Sequence, residues 1–174
     1  QKQHVEYARD TAQKFNHTFE PIFTMPDVLT MKDVATVPGI DGRKMSKSYD
    51  NVIPLFATDE EVRKQVMSIV TDSKGVEESK DPEKDNVFAL HKLFSAQELP
   101  TLEKRYREGG IGYKESKELL AENIIKLISS MRAKREELAK QEGLVEKVLH
   151  DGGERAHTKA SQTMEKVRKA IGVR

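Results

Sequence analysis

The sequence predicts a chain that is mixed α/β up to about residue 52 and all-helical from there to its end. Before residue 52, an amphipathic segment is followed by a short apolar run and by a stretch rich in Val, Gly, Pro and Lys. Beyond residue 55, apolar residues recur every three or four positions, which is the period of a helix with one buried face. A length of 174 residues suits one large domain or two small ones.

The first helix is predicted for residues 2–15, because their apolar side chains fall on one helical face. Residues 20–25, EPIFTM, predict a short strand that is set off by Pro21 and Pro26. Residues 27–51 predict a loop with one short strand or turn near residues 34–37. The apolar face of the first helix consists of Val5, Ala8, Ala12 and Phe15.

The helical part begins with a capping box, in which Thr58 is the N-cap and Glu61 stands three residues later. This pattern predicts a helix to about Val70, followed by a polar linker over residues 71–85. A stripe of Leu120, Ile124, Leu127, Ile128 and Met131 predicts helix packing in the core. The later helices are expected at residues 87–94, 99–107, 113–141, 144–149 and 154–171.

Composition excludes several classes of protein. The net charge is +1, so any nucleic-acid surface must be local, and the absence of cysteine excludes disulfides and thiolate metal sites. No stretch approaches the roughly 20 apolar residues of a membrane helix, and no metal-binding motif is present. We therefore predict a cytoplasmic protein without membrane association or a metal site. The abrupt, helix-like beginning suggests a fragment of a longer protein.

The stretch GRKMSKSYDN, residues 42–51, carries two lysines three positions apart in a predicted loop. Lys44 and Lys47 offer mobile ammonium groups, which suit phosphate oxygens. Asp50 and Asn51 favour turns that would close the loop. The spacing does not fit a P-loop. On the charge pattern alone, an ordinary solvated surface loop remains the alternative.

The five residues Lys44-Met-Ser-Lys-Ser48 match the KMSKS signature, by which the chain is identified as a member of the class I aminoacyl-tRNA synthetases. Residues 1–16 resemble the helix that follows the Gly-x-Asp-Gln turn in tryptophanyl-tRNA synthetases. Residues 150–172 resemble the C-terminal helix of the same family. The other class I signature, HIGH, is absent from this sequence.

The resemblance implies the C-terminal half of a bacterial-type tryptophanyl-tRNA synthetase. Residues 1–55 would be the tail of a Rossmann-type catalytic domain, and residues 56–174 a helical anticodon-binding domain. The implied activity is the ATP-dependent activation of tryptophan and its transfer to tRNA(Trp), with Mg²⁺ accompanying ATP. The implied enzyme is a homodimer, and the fragment alone is expected to be inactive.

The resemblance also implies roles for individual residues. Lys44 and Lys47 would be catalytic, because they meet the charge that builds on the departing phosphates. Gln1 would face the amino acid and the ribose. The implied ATP-binding residues are Val37, Lys44, Met45, Ser46, Lys47 and Ser48.

The last 21 residues carry six basic and two acidic side chains, which is a local excess in a nearly neutral chain. The family resemblance implies a tRNA-binding surface here, with Arg155 and Lys159 one turn apart. Residues 151–153, Asp-Gly-Gly, are predicted to cap this helix. The alternative is a solvated terminal helix.

Two other functions remain open at this point. A tyrosyl-tRNA synthetase shares the loop signature in some members, and its discriminating residues lie mostly upstream of this sequence. A non-catalytic RNA-binding module that retains the loop as a relic is a rival of a different class.

Overall fold

The structure, a computed structural model, describes residues 2–31 and 36–173 of the chain. Six α-helices account for most of these residues, together with a 3-10 helix at Lys47–Tyr49. None of the described helices is long and apolar enough to cross a membrane. The α-helices are α1 (Lys2–Thr18), α2 (Asp59–Met67), α3 (Asn86–Phe94), α4 (Leu99–Glu108), α5 (Tyr113–Ala139) and α6 (Leu144–Ala170).

Local sequence signals position the helix ends. Thr58 accepts a hydrogen bond from the Glu61 N–H at 3.2 Å, and the Glu61 carboxylate accepts one from the Thr58 N–H at 2.8 Å. This confirms the capping box predicted for α2. Asp85 caps α3 by accepting from the Phe88 N–H at 2.7 Å. Gly109 ends α4 with φ of 91°, a conformation that favours glycine.

The helical part of the prediction is confirmed, whereas the α/β character expected before residue 55 is not shown. Among the described residues the β-type pairing is a single bridge between Pro38 and Lys44. Residues 20–25, predicted as a strand, are irregular. The reason is local, because the Asn16 side chain accepts from the N–H groups of Ile22 and Phe23 and donates to the Phe23 carbonyl. These groups are therefore satisfied without a neighbouring strand.

The prediction of two helices separated by Asp151-Gly-Gly153 is wrong, because α6 runs through these residues without a break. Each glycine in a helix interior costs about 1 kcal/mol relative to alanine. The helix continues on both sides of the two glycines, and each residue added to an existing helix gains a hydrogen bond, which offsets that cost. Asp151 is therefore not a cap, and α6 begins after Gly143 instead, which has φ of 71°.

The chain divides into two compact units. One consists of Gln1–Thr30 with Ala139–Arg174, and the other of Met31–Leu138. In the first, Ala12 and Val167 are the buried apolar residues among those described. Three phenylalanines add to it, since the Phe15 ring lies 5.0 Å from the rings of both Phe19 and Phe23.

The unit Met31–Leu138 holds the main apolar core, in which one face each of α2, α3 and α5 is buried. On α5, the predicted stripe is only partly inside, because Leu127 and Met131 are exposed. A second cluster joins α3 and α4 through Phe88, Leu102 and Tyr106. The buried core residues are Ala57, Val62, Val66, Ile69, Val87, Leu90, Leu120, Ala121, Ile124 and Ile128.

A buried polar cluster between α3, α4 and α5 was not predicted from the sequence. The His91 ring shares hydrogen bonds with the Ser95 hydroxyl at 2.6 Å and with the Ser116 hydroxyl at 3.0 Å. The Tyr106 hydroxyl lies 2.7 Å from the Ser116 hydroxyl. Burial lowers the pKa of His91 to about 4 and raises the pKa of Tyr106. The imidazole is therefore neutral in the folded chain at neutral pH.

Acid is expected to destabilise the fold through His91. Its pKa is about 4 in the folded state against 6.5 for the free side chain, so the unfolded chain binds more protons between these values. The free energy of unfolding therefore falls as the pH drops from 6.5 towards 4, by roughly 3 kcal/mol from this group. Urea unfolding of this chain and of His91→Gln across that range measures the effect. In the variant, the free energy of unfolding should depend less steeply on pH in this range. Identical pH dependence in both proteins would contradict the assignment to His91. His157→Gln, at an exposed histidine, is the control.

Candidate functional site

Residues 37–51, which we call the lysine loop, form a short hairpin. The Gly39 N–H donates to the Arg43 carbonyl at 2.7 Å, and the Met45 N–H donates to the Val37 carbonyl at 2.8 Å. The Pro38–Lys44 bridge lies between these two bonds. The backbone on both sides of the turn is therefore paired, and Lys44 lies at its base.

The lysine loop, together with Ile53 just after it, packs on the helical core of the same unit. Val37, Ile40 and Ile53 contact the main apolar cluster. The Val70 N–H, just after α2, donates to the Ile40 carbonyl at 2.8 Å. The loop is thereby attached to α2 by apolar packing and by a backbone hydrogen bond.

The second lysine begins the 3-10 helix at Lys47–Tyr49. The Ser46 hydroxyl caps this helix by accepting from the Ser48 N–H at 3.3 Å. Asp50 ends it in the left-handed region with φ of 51°, and its N–H donates to the Lys47 carbonyl at 3.2 Å. Asp50 thus closes the loop, as its residue type predicts.

The two lysines are exposed, whereas the neighbouring Arg43 has contacts within the loop. Arg43 pairs with the Asp41 carboxylate at 2.6 Å and lies 4.6 Å from the centre of the Tyr49 ring. Within residues 2–31 and 36–173, neither Lys44 nor Lys47 forms an ion pair. Among the described residues the two ammonium groups therefore have no acidic partner, whereas the guanidinium of Arg43 already pairs with Asp41.

Asn51 is the residue of this site whose role was missed by the sequence interpretation. Its side chain is buried, with 1% exposure. It accepts from the Ser46 N–H at 2.8 Å and donates to the Asp41 carboxylate at 2.7 Å and to the Lys44 carbonyl at 3.2 Å. The bond from Asn51, followed by those from Arg43, lowers the pKa of Asp41. The sequence predicts a turn at Asn51 from its residue type alone. Its hydrogen bonds to Asp41, Lys44 and Ser46 are visible only in the three-dimensional structure.

The remaining predicted loop residues lie together, with different exposures. Met45 and Ser46 are half-buried, and Ser48 is exposed. Val37 is also half-buried and packs on the core. Gln1, predicted to face the amino acid and the ribose, lies outside the described residues. The described residues hold no cluster of three or more acidic or histidine side chains suited to a metal ion.

The predicted tRNA-binding residues lie on α6, in the other compact unit. Arg155 and Lys159 are exposed and one helical turn apart, so they share a face. The Arg155 guanidinium donates to the Asp151 carbonyl at 3.2 Å. His157, on the same helix, is also exposed.

Comparison with known proteins identifies the relatives of this chain. Residues 1–135 match the model of the family described as tRNA synthetases class I (W and Y). The tryptophan–tRNA ligase of Rhodopirellula baltica is 43% identical over 100% of this chain and 55% of its own length. That of Fusobacterium nucleatum is 41% identical over 99% of this chain and 54% of its own length. The chain thus spans about half the length of these relatives.

Solved structures that superimpose on this chain are also tryptophanyl-tRNA synthetases. The tryptophanyl-tRNA synthetase of Campylobacter jejuni, complexed with ADP and tryptophan, is 40% identical and superimposes with a TM-score of 0.78. The match covers 99% of this chain and 55% of that one. The Mycoplasma pneumoniae synthetase, 23% identical over 100% of this chain and 56% of its own, has a TM-score of 0.74 and shows the likeness in fold.

Proposed function

We propose that the full-length protein joins tryptophan to tRNA(Trp) in an ATP-dependent reaction, because this chain belongs to the class I tRNA synthetases of the tryptophan and tyrosine family. The observation that carries the proposal is the lysine loop, a paired hairpin that presents two exposed ammonium groups. Relatives named tryptophan–tRNA ligase, about 40% identical over the whole chain, favour tryptophan over tyrosine.

In the proposed first step, a carboxylate oxygen of tryptophan attacks the α-phosphorus of ATP. The bond from that phosphorus to the bridging oxygen of the β-phosphate breaks, and pyrophosphate leaves with the electron pair. Negative charge therefore builds on the β- and γ-phosphates, where Lys44 and Lys47 stabilise it. The protein supplies position and charge and no covalent nucleophile. Mg²⁺ arrives with the phosphates of ATP, as is usual for this ion.

The other assigned residues complete the nucleotide site. Met45 and Val37 are half-buried apolar residues of the lysine loop, and they are assigned to the adenine ring. Ser46 and Ser48 offer hydroxyls to phosphate, and Gln1 faces the amino acid and the ribose. Residues 1–55 belong to the catalytic, Rossmann-type domain in this proposal, and residues 56–174 to the anticodon-binding domain. The enzyme is proposed to be a cytoplasmic homodimer.

Amino-acid-dependent exchange of pyrophosphate into ATP tests the proposed function. The full-length protein should catalyse exchange with tryptophan and show little with tyrosine. Exchange that depends on tyrosine would establish the sister enzyme instead. If neither amino acid supports exchange, the chain belongs to a non-catalytic RNA-binding protein, and the lysine loop is a relic.

The exposed face of α6 is proposed to bind tRNA phosphates. The double variant Arg155→Ala/Lys159→Ala should weaken tRNA binding, because two cations are removed from one helical face. The slope of log affinity against log salt should fall by roughly 1 to 2. Filter binding between low and moderate salt measures both quantities.

The double variant Lys104→Ala/Arg107→Ala on α4 is the matched control. It removes the same charge from residues that already pair with Glu108 and Glu103. An equal loss of tRNA affinity in the control would show that the loss comes from the change in net charge and not from the α6 face. Unchanged affinity in the α6 variant would refute the proposed surface.

A further inference from the structure

We propose that Asn51 is a positioning residue, whose buried side-chain amide fixes the lysine loop so that Lys44 and Lys47 are placed for the phosphates of ATP. This inference rests on the proposed function. It adds a residue that lies outside the KMSKS signature and whose ordinary interpretation is a turn former.

The amide of Asn51 binds the turn of the loop and its second arm at once. Its oxygen accepts from the backbone of Ser46, which lies between the two lysines. Its nitrogen donates to the carbonyl of Lys44 and to the carboxylate of Asp41. The backbone on each side of Met45 is therefore held by one rigid, planar group. An asparagine suits this position because its side chain is both a donor and an acceptor.

The main chain of Asn51 is fixed as well. Its carbonyl accepts from the Ile40 N–H at 3.1 Å, and the Ile40 carbonyl in turn accepts from the Val70 N–H after α2. Gly39 leaves the space that the Asn51 side chain occupies, because a Cβ atom at residue 39 would lie 2.3 Å from the Asn51 amide nitrogen. The amide is thus buried and closely fitted against the loop backbone.

This arrangement explains how two exposed lysines can hold their ammonium groups at defined positions. A lysine side chain is flexible, so its ammonium group reaches a defined position only if its backbone is fixed. The loop has little regular secondary structure to supply that order, apart from one bridge and a three-residue 3-10 helix. Loss of the amide would remove the partner of two part-buried backbone groups, the Ser46 N–H and the Lys44 carbonyl, and would free the Lys44–Lys47 backbone.

The test compares Asn51→Ala and Asn51→Asp with Asn123→Ala in the full-length protein. Asn51→Asp keeps the size and the acceptor for Ser46, but it turns an oxygen towards the Asp41 carboxylate and the Lys44 carbonyl. Asn123 is the matched control, since its amide donates to the Ser95 hydroxyl at 2.9 Å, away from the loop. Thermal unfolding of each variant shows that it is folded.

Three readouts separate positioning from general damage. They are the kcat and the KM for ATP of tryptophan-dependent pyrophosphate exchange, the Kd for tryptophan without ATP, and the rate of tryptic cleavage after Lys44 and Lys47. Both Asn51 variants should lose at least about tenfold in kcat, keep their tryptophan Kd within about twofold, and be cleaved faster in the loop. Asn123→Ala should match the wild type in all three.

The inference is overturned if the folded Asn51 variants exchange pyrophosphate as fast as Asn123→Ala, or if their loop is cleaved no faster. A wild-type protein without tryptophan-dependent exchange would instead refute the proposed function. Cleavage then decides the structural part alone, because faster cleavage in the Asn51 variants supports fixing of the loop and equal cleavage rejects it.

Discussion

Replacing Lys47 with alanine lowers the rate of tryptophan-dependent pyrophosphate exchange by roughly a hundredfold or more, because removing one preorganised charge partner from a transition state costs about that much. Lys47 begins the 3-10 helix, and its ammonium group is exposed. Within the part of the chain that the structure describes, its side chain forms no ion pair, and the backbone bond to Asp50 does not depend on the side chain, so the variant should fold. The full-length protein and its Lys47→Ala variant are compared in steady-state exchange.

Tryptophan binding should be unaffected in the same variant, because the ammonium group serves the phosphates and not the amino acid. Isothermal titration with tryptophan in the absence of ATP measures this. Lys104→Ala, an exposed lysine on α4 near Glu108, is the matched control and should retain full exchange. Loss of tryptophan affinity with unchanged exchange would remove Lys47 from the phosphate site.

Leu120→Ala is expected to destabilise this chain by about 2–5 kcal/mol, the usual cost of deleting a buried leucine side chain and leaving a cavity. Leu120 is fully buried on α5 and belongs to the cluster that joins α2, α3 and α5. The lysine loop packs on this same cluster through Val37 and Ile40. The free energy of unfolding in urea measures the loss.

Leu127→Ala is the control on the same helix. Leu127 belongs to the same predicted stripe but is 48% exposed, so the substitution should cost less than about 1 kcal/mol. Equal losses for the two variants would show that both leucines are buried, as the predicted stripe implies. That result would contradict the exposure of Leu127 in the structure.

The helices were predictable because their signals are local. A capping box at Thr58 and an apolar period over α5 place these elements within a few residues of their observed ends. The exception is α6, where Gly152 and Gly153 suggest a break that cooperative helix formation overrides. Which side of a stripe faces the core was less predictable, since it depends on the neighbouring helices and not on α5 alone.

The irregular first part was harder to predict. The segment after α1 has the composition of a strand, yet the side chain of Asn16 takes the hydrogen bonds that a neighbouring strand would take. A side chain that bonds to backbone six or seven residues away leaves no periodic trace in a sequence.

The lysine loop was identified from five consecutive residues, but its support was not. Asn51 and Gly39 act together across twelve positions, and neither residue type indicates that contact. The buried cluster around His91 has the same character, because Ser116 lies 25 positions away on another helix. Such pairs depend on tertiary structure, which single-sequence patterns do not contain.

A structure of the full-length protein with tryptophan and an unreactive ATP analogue tests the central claim most directly. We expect the ammonium nitrogens of Lys44 and Lys47 to lie within about 3 Å of oxygens on the β- or γ-phosphate, with the Asn51 amide still bound to Ser46 and Lys44. Both ammonium groups in solvent, far from every phosphate oxygen, would contradict it.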